Sequence, residues 1–228
     1  MAQGKKYQNA ARGYDREALH SVGDAANIVV GFPKRNYDET VDMVLRLGVD
    51  PRKADEMIRG TVSLPAGTGK AVRVAVFAQG DAAQAARDAG AEFVGAEDLA
   101  EQVEGGMLDF DVTIAAPDMM PIVGKLGRVL GPRSLMPNPK TGTVTPDVAK
   151  AVEEFKGGKV EFRTDKFANV HVPVGKVSFT PDDIAKNIES VVEELKRLKP
   201  AGAKGVYIKK ASISTTMGPS IKLEHGNF

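Results

Sequence analysis

Lys125, Arg128, Arg133 and Lys140 are cations in a stretch, Met119 to Pro146, that contains no Asp or Glu. Four glycines and three prolines fall among the 21 residues from Gly124 to Val144, so the backbone there is locally preset and slim. A polyanion can approach such a segment closely, and the chemistry it suits is contact with phosphate. A solvated basic loop is the alternative, and charge alone does not separate the two. A second constellation lies in the strand-like run Val206 to Met217. One parity carries Lys210, Ser212, Ser214 and Thr216; the other carries Tyr207, Lys209, Ala211, Ile213, Thr215 and Met217. A row of hydroxyls with a cation at one end can donate to and accept from phosphates, ribose 2′-OH groups and base edges, which suits structured RNA. The solvent face of an ordinary sheet has the same composition. Arg163 and His171 share the parity opposite Val160, Phe162, Val170, Val172 and Val174, so they project together toward solvent. Tyr37, behind Lys34 and Arg35, is placed either to stack on a base or to pack at a strand start.

Enzyme chemistry finds less support. Gly67-Thr68-Gly69-Lys70 has the look of a phosphate loop, but Leu64 stands where the first glycine belongs and Ala71 where a magnesium-binding hydroxyl is required. Gly124, Gly127 and Gly131 have the wrong spacing for a dinucleotide fingerprint. The chain has no Cys, and its three His, at 20, 171 and 225, are too scattered for a zinc cluster or a catalytic dyad. Neither a metal nor a cofactor is expected.

Composition is that of an ordinary globular protein, 42% hydrophobic and 27% charged over 228 residues, with a formal net charge of only +1. The small net value hides segregation. From Asp81 to Asp118 there are ten acids and one base, Arg87, whereas from Pro200 to Leu223 four lysines meet no acid. Met1 to Glu17 carries Lys5, Lys6, Arg12 and Arg16 without an apolar core, unlike a signal peptide, and no stretch approaches the roughly 18 apolar residues of a membrane span.

These side chains need elements to hold them. The middle of the chain alternates strand and helix: strands at 72–77, 92–95 and 111–116, helices at 81–89 and 98–103, then Thr145 as cap and Pro146 as first residue of another helix. That pattern gives βαβ units and a mostly parallel sheet. Val160 to Val174 alternates around a polar turn at Thr164-Asp165-Lys166 and reads as an antiparallel hairpin. Thr180-Pro181-Asp182-Asp183 opens the clearest helix, whose stripe is Ile184, Ile188, Val191, Val192, Leu195 and Leu198, with Pro200 beyond its end. Glu39 to Leu47 is strand-like. Strand-rich segments at both ends with a βαβ unit between them indicate one domain interrupting another, with crossings at the Gly-rich stretches 64–69 and 156–159.

The string from Gly124 to Val144 closely resembles the signature of a family of large-subunit ribosomal proteins, that of the stalk beside the tRNA exit site. Tyr37-Asp38-Glu39-Thr40-Val41, Arg59-Gly60-Thr61-Val62-Ser63-Leu64-Pro65 and Thr215-Thr216-Met217-Gly218-Pro219-Ser220 are similar to the same family, in its order and spacing, so the resemblance covers essentially the whole chain. It implies an α/β and α+β protein: a split α+β RNA-binding domain from 1–66 and 158–228, interrupted by an inserted Rossmann-like βαβ domain at 67–157. It also implies a cytoplasmic, ribosome-bound protein that is a monomer when free and has no membrane partner. Its role would be to bind large-subunit ribosomal RNA at the mobile stalk and assist release of deacylated exit-site tRNA. In the bacterial type, it would also repress its own messenger by binding a leader that imitates the ribosomal site.

Carried over position by position, the family's RNA contacts fall on Tyr37, Arg163, Asp165, His171, Ser212, Ser214, Thr216, Met217 and Gly218. The basic loop with Lys125, Arg128, Arg133 and Lys140 becomes a secondary RNA contact. Tyr37 stands where Phe is common, which keeps a stacking surface, while Gly23-Asp24 replaces an acidic pair. The alternative is an RNA-dependent or nucleotide-using enzyme built on the inserted domain, which a magnesium-ATP binding assay discriminates.

Overall fold

The computed structural model describes residues 4–33 and 35–226, apart from the side chain of Ala54; Lys34 and the chain ends at 1–3 and 227–228 lie outside it. In chain order the elements are α1 (Lys5–Arg12), α2 (Val22–Val30), β1 (Thr40–Leu47), β2 (Arg59–Ser63), β3 (Val74–Phe77), α3 (Gly80–Asp88), β4 (Phe93–Gly95), α4 (Glu97–Glu104), β5 (Val112–Ala115), α5 (Met120–Lys125), α6 (Gly127–Leu130), α7 (Val148–Lys156), β6 (Lys159–Arg163), β7 (Asn169–Lys176), α8 (Pro181–Arg197), β8 (Ile208–Thr215) and β9 (Ile221–Leu223). This mixed α/β chain divides into two compact units, Met1–Gly69 with Val160–Phe228, and Lys70–Lys159.

In the first unit, antiparallel pairing gives a four-stranded sheet in the order β7-β1-β8-β9. β1 alternates strictly: Val41, Met43, Leu45 and Leu47 are buried, while Thr40, Asp42, Val44 and Arg46 face the other way. The buried face meets α2 and α8 in one core with Ala26, Val29, Ile184, Ile188, Val191 and Leu195. α8 forms where its signals stand. The Thr180 hydroxyl accepts from the Asp183 amide at 3.2 Å, Pro181 occupies the first turn, acids open the helix and Lys196 and Arg197 close it. Its one polar core residue is Asn187, fully buried and satisfied three ways. The Asn187 amide donates to the carbonyls of Val174 (2.8 Å) and Gly67 (3.0 Å) and accepts from the Ala66 amide (3.0 Å). α2 is capped by Ser21, which accepts from the Asp24 amide at 3.1 Å and donates to its carboxylate at 2.7 Å. Asp24, the one acid of the Gly23-Asp24 pair, thus has a structural use as a capping partner.

The 160–174 hairpin does not form as expected. β7 pairs with β1, β6 pairs with β2 in a separate two-stranded sheet, and only the single bridge Thr164↔Val170 joins the two arms. Alternation reports which face a side chain takes; it says nothing of which strand lies beside it.

In the second unit β4, β3 and β5 form a parallel sheet in that order. All four residues of β3 are buried, as in a central strand covered on both faces. α3 packs against α7 and α4 against α5. The helix expected to begin at Pro146 begins at Val148 instead. Asp147 is its cap, accepting from the Lys150 amide, and Thr145 accepts from the Asp147 amide just outside. An Asp aimed at the third amide outcompetes the Thr-Pro signal two residues earlier.

Candidate nucleic-acid interface

The face of the four-stranded sheet turned away from α2 and α8 gathers most of the expected RNA contacts. His171 stands opposite Val44, Val44 opposite Ser212, and Ser212 opposite Lys222. On one side of this row Pro173, Asp42 and Ser214 align; on the other side Asn169, Arg46 and Lys210 align. The hydroxyls of Ser212 and Ser214 therefore lie mid-face, between cations at one end and the turn after β8 at the other. From Lys210 to Thr216 the face runs roughly 20 Å at the usual rise of a strand.

Asp165 makes the turn before β7. It accepts from the amides of Phe167 and Asn169, both at 2.8 Å, and from the Asn169 side chain at 3.0 Å. Its second oxygen lies 3.6 Å from His171 Nε2. Burial pushes the Asp165 carboxyl upward, but the hydrogen bonds from Asn169, Phe167 and His171 together outweigh it and hold the group below the usual range. Asp165 thus fixes the turn and sets its carboxylate beside His171. Arg163 is exposed next to the Thr164↔Val170 bridge, at the end of β6.

At the opposite end, Thr216 sits just past β8. Its amide donates to the Thr40 carbonyl at 3.1 Å and its hydroxyl to the same oxygen at 3.4 Å, leaving the hydroxyl lone pairs as acceptors. The Gly218 amide donates to the Thr215 carbonyl. Any Cβ on Gly218 would collide with the Thr215 hydroxyl and press within 3.1 Å of the Phe32 ring, so packing alone demands glycine there. Met217 and Tyr37 are both about half exposed, 55% and 54%.

Two carboxylates escaped the reading of the sequence as site residues. Glu39 is buried, yet its oxygens accept from Arg35 Nε at 3.1 Å and from the Met217 amide at 3.3 Å, while Arg35 Nη2 donates to the Met217 carbonyl at 3.4 Å. It clamps the Thr216–Gly218 turn to the segment bearing Tyr37. Asp42 lies in the middle of the open face. Burial raises its pKa, and the positive charges of His171 and Lys176 only partly offset that. Its place was readable from the alternation of β1, whereas the Glu39 clamp joins residues far apart in the chain.

Lys125, Arg128, Arg133 and Lys140 belong to the second unit, and all are exposed. Their segment is less loop-like than its glycines suggest. α5 and α6 bury Val123, Leu126 and Leu130 at helical spacing and leave Lys125 and Arg128 outside. Beyond Arg133 the chain is braced by Asn138, whose amide donates to the Thr143 hydroxyl at 2.7 Å and whose carbonyl accepts from the hydroxyls of Thr141 (3.0 Å) and Thr143 (3.1 Å). Lys140 is thereby presented on a fixed turn rather than a floppy one. The 67–70 segment runs into β3 with no helix behind it, which removes the helix N-terminus a phosphate loop requires. Among the described residues no group of three or more His, Cys, Asp or Glu could hold a metal ion, and no helix is long and apolar enough to cross a membrane.

The model of the ribosomal protein L1p/L10e family matches residues 29–219. The chain belongs to that family. It is 58% identical over 224 residues to the large ribosomal subunit protein uL1 of Nocardioides sp., a match spanning 98% of this chain and 93% of that one. The large ribosomal subunit protein uL1 of Cutibacterium acnes is 55% identical over 224 residues, spanning 98% and 97%. That of Corynebacterium glutamicum is 54% identical over 220 residues, spanning 96% and 93%. These relatives are named for a part of the ribosome and for no reaction. The match includes every expected RNA-binding residue of both units.

Proposed function

We propose that this chain is a structural protein of the large ribosomal subunit, in the cytoplasm, and that it binds large-subunit ribosomal RNA through the open face of its first unit. One observation carries the reading: three distant segments, 40–46, 169–173 and 210–215, pair side by side into a single face that mixes hydroxyls, cations and carboxylates. Such a face is poorly suited to bare electrostatic capture of a polyanion. It suits recognition of 2′-OH groups and base edges, with Arg46, Arg163 and Lys210 supplying phosphate contacts.

In this reading Tyr37, Arg163, Asp165, His171, Ser212, Ser214, Thr216, Met217 and Gly218 form the primary RNA site, and Lys125, Arg128, Arg133 and Lys140 a secondary one. The first unit acts as a discontinuous RNA-binding α+β domain, 1–66 and 158–228, interrupted by a Rossmann-like domain at 67–157. The parallel order β4-β3-β5 with its helices supports the second assignment. The RNA is that of the mobile stalk beside the exit site, where the protein assists departure of deacylated tRNA. A leader in its own messenger that imitates the stalk is bound through the same face, which represses translation. The free protein is a monomer.

Thr216→Val tests the face. It preserves shape while leaving an RNA donor unpaired, and should weaken binding to stalk RNA about tenfold to hundredfold. The slope of log K against log salt should stay unchanged, since no phosphate charge is lost. Unaltered affinity would return this strand to the role of an ordinary solvent face.

A further inference from the structure

Beside Tyr37 the first unit holds a cavity of about 350 Å3, lined among others by Phe32, Asn36, Tyr37, Val177, Ser178 and Thr215. That size lies within the range of small-ligand sites, and its walls combine apolar side chains with a few polar groups. We propose that it takes one unpaired base extruded from the bound RNA, an inference that rests on the RNA-binding reading above. The half-exposed ring of Tyr37 supplies a stacking surface, and Phe32 and Val177 supply apolar wall. Asn36 brings an amide suited to a base edge, and the Ser178 hydroxyl, which donates to Asp38 at 2.7 Å, brings an acceptor.

Charge on the cavity also fits a nucleotide. Two acids line it, and neither is bare before RNA arrives: the Glu39 carboxylate is engaged by the Arg35 guanidinium and the Met217 amide, and the Asp38 carboxylate accepts from the Ser178 hydroxyl at 2.7 Å and the Ser178 amide at 3.1 Å. Arg35 donates through Nε and Nη2 and presents its remaining nitrogen for a phosphate oxygen. The cavity lies at the end of the strand that bears the hydroxyl row, with Thr215 on the buried side of that strand. Thr215 lines it and leads directly into Thr216, Met217 and Gly218, and the Phe32 ring packs against Gly218. An RNA strand lying along the hydroxyl row thus meets a base-sized recess at the end of the row.

The experiment is a thermodynamic cycle on the full chain, with an abasic nucleotide placed in turn at each unpaired position of stalk RNA. One position should cost the unmodified protein about tenfold or more in affinity. At that position Tyr37→Ala and the cavity-filling Val177→Phe should each lose no more than about threefold further, because the partner of the base is already gone. Tyrosine fluorescence checks that both variants fold, and Tyr37→Ala, altered at an exposed ring, decides the cycle by itself if Val177→Phe does not. Equal abasic penalties in protein and variants overturn the cavity assignment. So does the absence of any sensitive position while the protein still distinguishes stalk RNA from a random hairpin, and in both cases the open face stands. Loss of that discrimination by the unmodified protein overturns the face and the cavity together.

Discussion

Replacing Asn187 by Leu should destabilise the first unit by roughly 1–5 kcal/mol. The substitution keeps the branched shape and the number of heavy atoms while its methyl groups add volume, so no cavity opens and the loss comes chiefly from hydrogen bonds. The Val174 carbonyl, bonded at 2.8 Å in a fully buried setting, would be orphaned at about 1–3 kcal/mol. The Ala66 amide and the Gly67 carbonyl are only partly buried, so water can replace the side chain and each bond contributes about 0.5–1.5 kcal/mol. Gain from burying an apolar group in place of the amide offsets part of the sum, roughly 1 kcal/mol. The chain provides its own reporter. There is no Trp, and all four tyrosines, Tyr7, Tyr14, Tyr37 and Tyr207, lie in the first unit, so tyrosine fluorescence in urea follows that unit alone. With a slope of about 2 kcal/mol per molar urea, the midpoint should fall by about 0.5–2.5 M. A fall smaller than about 0.3 M would mean that the three backbone groups find other partners and that Asn187 does not tie β7 and the 66–67 segment to α8.

Three further outcomes are expected. A chain joining Met1–Leu64 to Lys159–Phe228 through a short linker should fold and bind stalk RNA in preference to a random hairpin; a folded product without that preference would count against the assignment of the primary site. Arg128→Gln combined with Arg133→Gln should weaken all RNAs alike and lower the salt slope by about one unit for each phosphate no longer neutralised, read from salt titrations with stalk RNA and an unrelated structured RNA; weakening confined to stalk RNA would mean that these arginines read bases. Asp42→Asn should raise stability at neutral pH: because burial lifts the folded pKa, the stability linked to this group is complete below the ordinary carboxylate range and lost as pH rises through the raised value. Urea midpoints across acid to neutral pH measure this, and equal midpoints for both proteins at neutral pH would contradict it.

The local part of this protein is written in its sequence. The Thr180 cap, the Ile184-to-Leu195 stripe and the alternation of β1 and of β8 beyond Lys210 each depend on side chains a few residues apart and appear where the pattern sets them. At the start of β8, by contrast, a bulge puts Lys209 outside and Ile208 inside, against the expected parity. Parity alone put Ser212 and Ser214 on one face, and Arg163 and His171 on the side opposite the valines. Neighbours across the fold are a different matter. Nothing in the alternation of 160–174 could tell that β6 would leave β7 for β2, or that β8 and β7 would flank β1 and bring His171 into the row of Ser212. Strand pairing is chosen among backbone groups that are chemically alike, so the choice falls to packing of the whole core. The same holds for Asn187, whose bonds reach 120 and 121 residues back along the chain, and for Glu39, whose bond to the Met217 amide spans 178. Sequence determined which face each side chain takes; tertiary structure decided which faces meet, because a buried polar group is satisfied by whatever donor or acceptor the packed core brings within about 3 Å.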